Sequence, residues 1–132
     1  MWLPATTANT KSDGTGTIGT DMLLLFTAGA NCAFIRSVIL SPQGSANVST
    51  TATVARIYLS TVSSGATTNA NTTLYRELAL ASQSVAHATA ATFSLEVAFG
   101  FAIPANSTIL VSMQNAALAS SSWGFYCIGG DY

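Results

Sequence analysis

Short runs of alternating apolar and polar residues make up most of the chain after position 20. Separated by turn-forming Gly, Pro, Asn and Ser, these runs predict strands at 22–27, 32–40, 51–60, 74–80, 89–99, 108–113 and 122–128. Residues 101–103 are predicted to continue the fifth strand beyond Gly100, and turns are predicted at 41–44 and 104–106. An Ala-rich stretch at 82–91 is a weak helix candidate, because its hydroxyl and β-branched residues favour other conformations.

Seven or eight short strands at roughly ten-residue spacing predict an all-β fold, a single antiparallel β-sandwich of about eight strands over residues 21–132. Residues 1–20 contain mostly Thr, Ser, Asn, Gly and Ala without a period. They predict an extended N-terminal arm in which Trp2 and Leu3 are the candidate apolar anchor. The alternative is a frayed terminus, the usual fate of such segments.

The composition is unusually poor in charge. Charged residues make up 7% of the chain, with 4 Lys+Arg and 5 Asp+Glu, whereas hydrophobic residues make up 49%. A typical soluble domain has about 25% charged residues. Four scattered cations form no basic stripe for nucleic acid, and no apolar run approaches the roughly 20 residues of a membrane helix. A net charge near zero promotes association between protein molecules. We therefore expect other protein to cover much of the surface of this chain. The alternative is a sandwich kept soluble by its Thr and Ser hydroxyls.

Three glycines spell the pattern of a dinucleotide-binding loop. Gly14, Gly16 and Gly19 have the spacing G-x-G-x-x-G, but that motif lies between a strand and a helix. Here a polar stretch precedes the glycines and a strand-like run follows them. The glycines are therefore expected either to keep the arm flexible or to let it pack closely, and no cofactor is expected.

Catalytic chemistry is not expected from the side chains present. His87 is the one histidine, and no Gly-x-Ser-x-Gly elbow accompanies it. Glu77 and Glu96 lie on predicted strands that could be neighbours, as a glycosidase requires. Arginines lie nearby, however, and pairing of a carboxylate with arginine is the more common fate. The chain is therefore predicted not to be an enzyme.

The two cysteines, Cys32 and Cys127, lie in predicted strands. One His and two distant Cys have no zinc-ligand spacing, so no metal site is expected. The N-terminus lacks the basic residues of a secretory signal, so reduced, buried thiols are expected. A disulfide between them is the alternative if the strands meet.

Arg36, Arg56 and Arg76 each lie in the middle of a predicted strand and are 20 residues apart. Three roles are open for a mid-strand arginine. Its stem can cover apolar surface while its charge stays in water. It can pair with Glu77 or Glu96 across the sheet. It can also project into an interface, where arginine is enriched.

The strand sequences together resemble a family of small tailed-phage virion proteins. The residues that carry this are FIRSV at 34–38, ARIYL at 55–59, LYREL at 74–78, FAIPA at 101–105 followed by TILVS at 108–112, and GGDY at 129–132. The resemblance covers residues 33–132 and implies a jelly-roll-like β-sandwich that decorates or cements a capsid. Such proteins often have Gly after Pro-Ala, where this chain has Asn106, which also tolerates a left-handed turn.

The resemblance implies a protein of the virion, on the capsid surface. Its expected partners are the major capsid protein and neighbouring copies of itself, as a dimer or trimer. The candidate contacts are the arm from Trp2 and Leu3 to residue 20, and loops 41–50 and 60–73. The alternative function is a carbohydrate- or receptor-binding module. Four aromatic residues are the candidate sugar platform of that alternative, provided that their rings are exposed: Trp123, Tyr126, Tyr58 and Tyr75.

Overall fold

A computed structural model of the chain describes residues 2–5, 8–45, 48–85, 93–117 and 120–132. His87 and the first part of the predicted strand 89–99 lie outside the described residues. The described residues contain no helix. Their strands are β1 (Trp2–Ala5), β2 (Gly16–Thr17), β3 (Leu23–Thr27), β4 (Ala33–Gly44), β5 (Val48–Ser49), β6 (Thr53–Ser60), β7 (Ala66–Thr67), β8 (Thr72–Leu80), β9 (Ser84–Val85), β10 (Leu95–Ile103), β11 (Thr108–Met113) and β12 (Ser121–Asp131).

Two four-stranded antiparallel sheets form the body of the protein. Sheet A has the strand order β1-β12-β4-β10, and sheet B has the order β3-β11-β6-β8. Two short ribbons, β2 with β7 and β5 with β9, lie outside them. The predicted all-β antiparallel sandwich is therefore confirmed.

The eight strands of the two sheets form four nested pairs. β1 pairs with β12, β3 with β11, β4 with β10 and β6 with β8, and all of these pairs are antiparallel. Two further ladders, β12 with β4 and β11 with β6, join neighbouring pairs into the two sheets. Each of the two sheets therefore contains two of these nested pairs.

The core lies between the two sheets and is built from alternating strand residues. Ile35 and Phe125 of sheet A are fully buried in the same cluster as Ile57 and Val111 of sheet B. Each such side chain contributes roughly 1.5–3 kcal/mol through removal of its apolar surface from water. The period-two pattern identifies the inner face in β11 and β12, but in β8 it fails at Leu74, which packs with Tyr58 on the outer side.

The predicted turn at 41–44 is wrong, because β4 continues through it to Gly44. Pro42 pairs with Trp123 of β12. The ladder with β10 reaches only as far as Leu40, so among the described residues Pro42 has a strand neighbour on one side only. Proline lacks an N–H and is tolerated in such edge positions.

The predicted continuation of the fifth strand is confirmed, because β10 runs through Gly100 to Ile103. Gly100 has a φ of 69°, and the register with β4 shifts between Ala98 and Phe101. Asn106 follows in a turn with a φ of 60°, the left-handed conformation expected of it.

Candidate interaction surface

The outer face of sheet B is covered by the chain's own N-terminal segment, residues 8–22. Met22 is fully buried there against Tyr58 and Leu110. The Tyr58 hydroxyl donates to the carbonyl of Lys11 at 3.0 Å, and burial raises the pKa of this tyrosine. The backbone N–H of Asn9 donates to the carbonyl of Met113 at 2.7 Å. Asn9 and Lys11 of the predicted arm therefore lie against the sandwich.

Arg56 links the N-terminal segment to sheet B through hydrogen bonds. Its side chain is 5% exposed, and Nε donates to Glu77 Oε1 at 2.7 Å. The two terminal nitrogens donate to the Asn9 carbonyl at 2.8 Å and to Gln114 Oε1 at 2.9 Å. Arg56 and Glu77 are direct cross-strand partners, which confirms pairing across the sheet as the role of this arginine.

Glycines allow the segment to lie this close. A Cβ atom at Gly14 would come within 2.6 Å of the Thr72 carbonyl oxygen, and the φ of Gly14 is +83°. A Cβ at Gly16 would lie 3.0 Å from the Asp21 Cβ. Of the two roles expected for the G-x-G-x-x-G glycines, close packing is the one observed at these two positions.

Each outer strand of the two sheets carries a feature that discourages pairing with another chain. β1 is short and contains Pro4, and β3 is short with an unopposed residue, Leu25. β8 carries Arg76 and Glu77, and β10 carries Glu96. Proline, bulges and edge charges are the usual protection against strand addition. The described edges therefore do not favour sheet extension.

The outer face of sheet A, in contrast, carries exposed apolar side chains among the described residues. Phe34 and Ile128 are each 40% exposed on it, and Arg36 stands exposed beside them. Their neighbours are small: Ala102 and Gly130 flank Phe34 on the adjacent strands, and Ala98 lies level with Ile128. We call these six residues the open face of sheet A: Phe34, Arg36, Ala98, Ala102, Ile128 and Gly130.

A bulge in β4 aims Arg36 at this face. In the ladder with β12, Ser37 pairs with Ile128 and Ile35 pairs with Gly129, so Arg36 is the extra residue. A bulge of this kind re-aims a side chain. Ser37 is level with the exposed Ile128, yet it is only 1% exposed, and its hydroxyl has no hydrogen-bond partner among the described residues.

Arg76 and an aromatic cluster occupy the side of the sandwich between β8 and β10. The Arg76 guanidinium lies 5.5 Å from the centre of the Tyr75 ring. Tyr75 in turn packs against Phe99 and Phe101, at centroid distances of 4.4 and 5.6 Å. Arg76 therefore stays exposed while lying over aromatic surface, as the first of the three predicted roles describes.

Glu77 and Glu96 line one shallow groove of about 270 Å³ at this side, together with Arg76. The two carboxylates are thus brought to a common groove, as the sequence allowed. The Glu77 carboxylate accepts the 2.7 Å bond from Arg56, which confirms the expected pairing of a carboxylate with arginine.

No disulfide joins the two cysteines; Cys127 is buried as expected, whereas Cys32 is half-buried. Burial raises the pKa of the Cys127 thiol. Within the described residues, no cluster of three or more His, Cys, Asp or Glu side chains could hold a metal ion.

The four aromatic residues of the predicted sugar platform lie in different parts of the fold. Trp123 is buried in the core, and Tyr58 is buried under the N-terminal segment. Tyr75 is half-buried in the aromatic cluster, and Tyr126 is half-buried on sheet A, where Gln43 donates to its hydroxyl at 2.5 Å. They therefore do not form a shared stacking surface.

The predicted anchor residues lie in β1, at the edge of sheet A, where Trp2 pairs with Tyr126 and Leu3 with Phe125 through the backbone. The predicted contact loops are partly strand: 41–44 belongs to β4, 48–49 forms β5, and 66–67 forms β7, which pairs with β2.

Comparison with known proteins identifies no relative: no family model, no curated protein and no solved structure matches the chain. No helix long and apolar enough to cross a membrane occurs among the described residues.

Proposed function

We propose that this protein is a capsid decoration protein of a tailed phage. It binds the outer surface of the major capsid shell through the open face of sheet A and stabilises the shell. One contrast carries the proposal: the chain covers the outer face of sheet B with its own residues 8–22, whereas Phe34 and Ile128 on sheet A remain 40% exposed.

The open face has the composition of an interface core. Such cores are depleted of charge and enriched in aromatic residues and arginine, and Phe34, Arg36 and Ile128 fit that description. A standard interface buries about 800 Å² on each partner, which is roughly an eighth of this protein's 6413 Å² surface.

The proposed mechanism is mechanical. A rigid sandwich that spans a seam between capsid subunits resists their separation. The stabilising contributions of many bound copies add up over a shell. Binding is driven by apolar burial, so its dependence on salt is weak, since ionic screening acts on exposed charges. Contacts between neighbouring copies of the chain, as dimers or trimers, remain part of the proposal.

The strand pairing supports the same conclusion. Four nested antiparallel pairs rolled into two sheets are what a jelly roll consists of, and we infer that the sandwich is one. Viral capsid domains and lectins both use this fold. The apolar open face favours a protein partner over a sugar, because sugar sites need polar groups beside exposed aromatic rings.

Binding to phage shells that lack this protein tests the proposal. Wild-type protein is expected to sediment with the shells and to saturate at a fixed number of copies. Phe34→Ser is expected to weaken binding by roughly 3- to 8-fold, because binding buries only the exposed 40% of a side chain whose full burial contributes about 1.5–3 kcal/mol. Phe93→Ser is the matched control, since Phe93 is 44% exposed but precedes β10, outside the open face.

Absence of wild-type binding, or equal binding of Phe34→Ser and wild type, contradicts the proposal. Retention of the wild-type protein on a glycan surface, with no binding to shells, favours the carbohydrate-binding alternative instead.

A further inference from the structure

The carboxylates of the chain differ in whether the chain itself bonds to them. Four of them accept hydrogen bonds from nearby groups: Asp13 from Thr15, Asp21 from the Thr17 N–H, Asp131 from the Gly29 N–H, and Glu77 from Arg56. Glu96 is exposed on β10 and accepts no hydrogen bond from the described residues. Arg76 is exposed on β8 and takes part in no ion pair among them, since the one ion pair joins Arg56 to Glu77.

Arg76 and Glu96 line the same groove. It has a volume of about 270 Å³ and is formed by β8 and β10, the outer strands of sheets B and A. The chain has only 4 Lys+Arg and 5 Asp+Glu, and three of these residues line the groove, because Glu77 is there as well. The remaining lining is apolar and consists of Leu78, Leu95, Val97 and Ala98. The groove thus combines an apolar wall with one unpaired charge of each sign.

Such a surface is complementary to itself. When a two-fold axis relates two copies of a protein, the same patch serves on both sides and each contact occurs twice. Arg76 of each copy then faces Glu96 of the other, so that two identical ion pairs form. Leu78 and Leu95, which are partly buried against the core, gain cover from the other copy at the same time. A groove with charges of one sign only would need a different protein as its partner.

This contact is made by side chains and not by strand addition. Charged residues on edge strands oppose the docking of a further strand, and both β8 and β10 carry such residues at the groove. The same charges favour a side-chain contact in which each meets its opposite, because complementary potentials fix the partner and the register. The net charge of −1 adds little repulsion between copies.

We infer that this groove is the contact between two copies of the chain, with Arg76 of each copy paired to Glu96 of the other. The inference rests on the self-association included in the proposed function and deepens it by naming the surface. It also selects a dimer over a trimer, because one self-complementary patch closes on itself after a single contact.

Sedimentation equilibrium of the purified chain measures this association without shells. Wild type is expected to be a dimer at about 100 μM, since an interface of about 800 Å² per copy supports micromolar or tighter binding. Arg76→Glu and Glu96→Arg each place like charges opposite one another twice, and each is expected to weaken the dimer by about 30-fold or more. Glu96→Gln only removes a charge and is expected to weaken it several-fold. Arg36→Glu is the matched control, because Arg36 is exposed outside the groove, and it is expected to dimerise like wild type.

An equimolar mixture of Arg76→Glu and Glu96→Arg separates contact between copies from pairing within one chain. In a mixed dimer each introduced charge meets an opposite charge on the other copy, so the mixture is expected to dimerise with an affinity close to that of wild type. Native mass spectrometry identifies the mixed species by mass. Because the two changes are on different chains, pairing within one chain cannot produce this recovery.

A monomeric or trimeric wild type contradicts the inference. Reversal variants that dimerise like wild type, or a mixture that forms no mixed dimer, show that the Arg76 and Glu96 pairing is wrong. These results leave the binding of the protein to shells untouched, whereas a dimer that fails to bind shells contradicts the decoration function alone.

Discussion

The Arg56 guanidinium is predicted to hold the N-terminal segment on sheet B, and Arg56→Met tests this. Methionine retains an apolar stem but removes the bonds to Glu77, to the Asn9 carbonyl and to Gln114, which measure 2.7, 2.8 and 2.9 Å. Removal of one partner of a buried ion pair costs about 3–5 kcal/mol. Glu77 is 45% exposed and regains water, so we expect a smaller loss, about 2–4 kcal/mol of unfolding free energy.

Urea unfolding followed by tryptophan fluorescence measures this loss. With a denaturant slope of about 2 kcal/mol per molar, the midpoint is expected to fall by about 1–2 M. Arg36→Met is the matched control, because Arg36 is also a strand arginine but is exposed. A surface substitution of this kind is expected to change stability by less than about 0.5 kcal/mol.

Trypsin cleavage reports on the segment itself. Lys11 is exposed within it, and its carbonyl accepts the bond from Tyr58. In Arg56→Met the segment is expected to detach more often, so cleavage after Lys11 accelerates. Cleavage and urea midpoints that match wild type would refute the reasoning that Arg56 anchors the segment.

Three further predictions concern single residues. Gly14→Ala is expected to destabilise the fold by roughly 1–3 kcal/mol in urea titration, since backbone strain and a clash of the new Cβ with the Thr72 carbonyl oxygen act together. Gly65→Ala is the control for strain alone, because Gly65 has a φ of +76° and nothing lies within 4 Å of a Cβ there. Equal losses of stability in the two variants contradict the clash. Ellman's reagent is expected to label Cys32 in the native protein and Cys127 only after unfolding, and rapid native labelling of both contradicts the burial of Cys127. Burial raises the pKa of Tyr58 above its ordinary 10.0. The Tyr58 hydroxyl therefore loses its proton at a lower pH in the unfolded chain than in the folded protein, so the free energy of unfolding falls as pH rises past about 10. Tyr58→Phe should show a smaller fall in this free energy between about pH 9 and 11, and a fall equal to that of wild type contradicts the prediction.

The sandwich could be predicted from the sequence because its inner face follows a simple period of two. Residues 108–113 alternate and form β11 with the predicted bounds. The turn predicted at 41–44 failed for a non-local reason: β12 extends alongside these residues as far as Ser121, which pairs with Gly44. Local turn chemistry carries no information about where a distant strand stops.

The open face of sheet A was predictable in part. Phe34 and Arg36 have the same parity in the sequence, so one shared face could have been inferred. The unmet hydroxyl of Ser37 could not, because the bulge arises from the register with Ile128, more than ninety residues away. The sequence also offers no signal that Arg56 bonds to the carbonyl of Asn9, since any backbone carbonyl could fill that role.

The orientation of the protein on a decorated shell, determined by electron cryomicroscopy, tests the central claim most directly. We predict that sheet A faces the shell, with Phe34, Arg36 and Ile128 within contact distance of the major capsid protein, and that residues 8–22 face away from it. A map in which sheet A points to solvent while the covered face of sheet B contacts the shell would contradict the account.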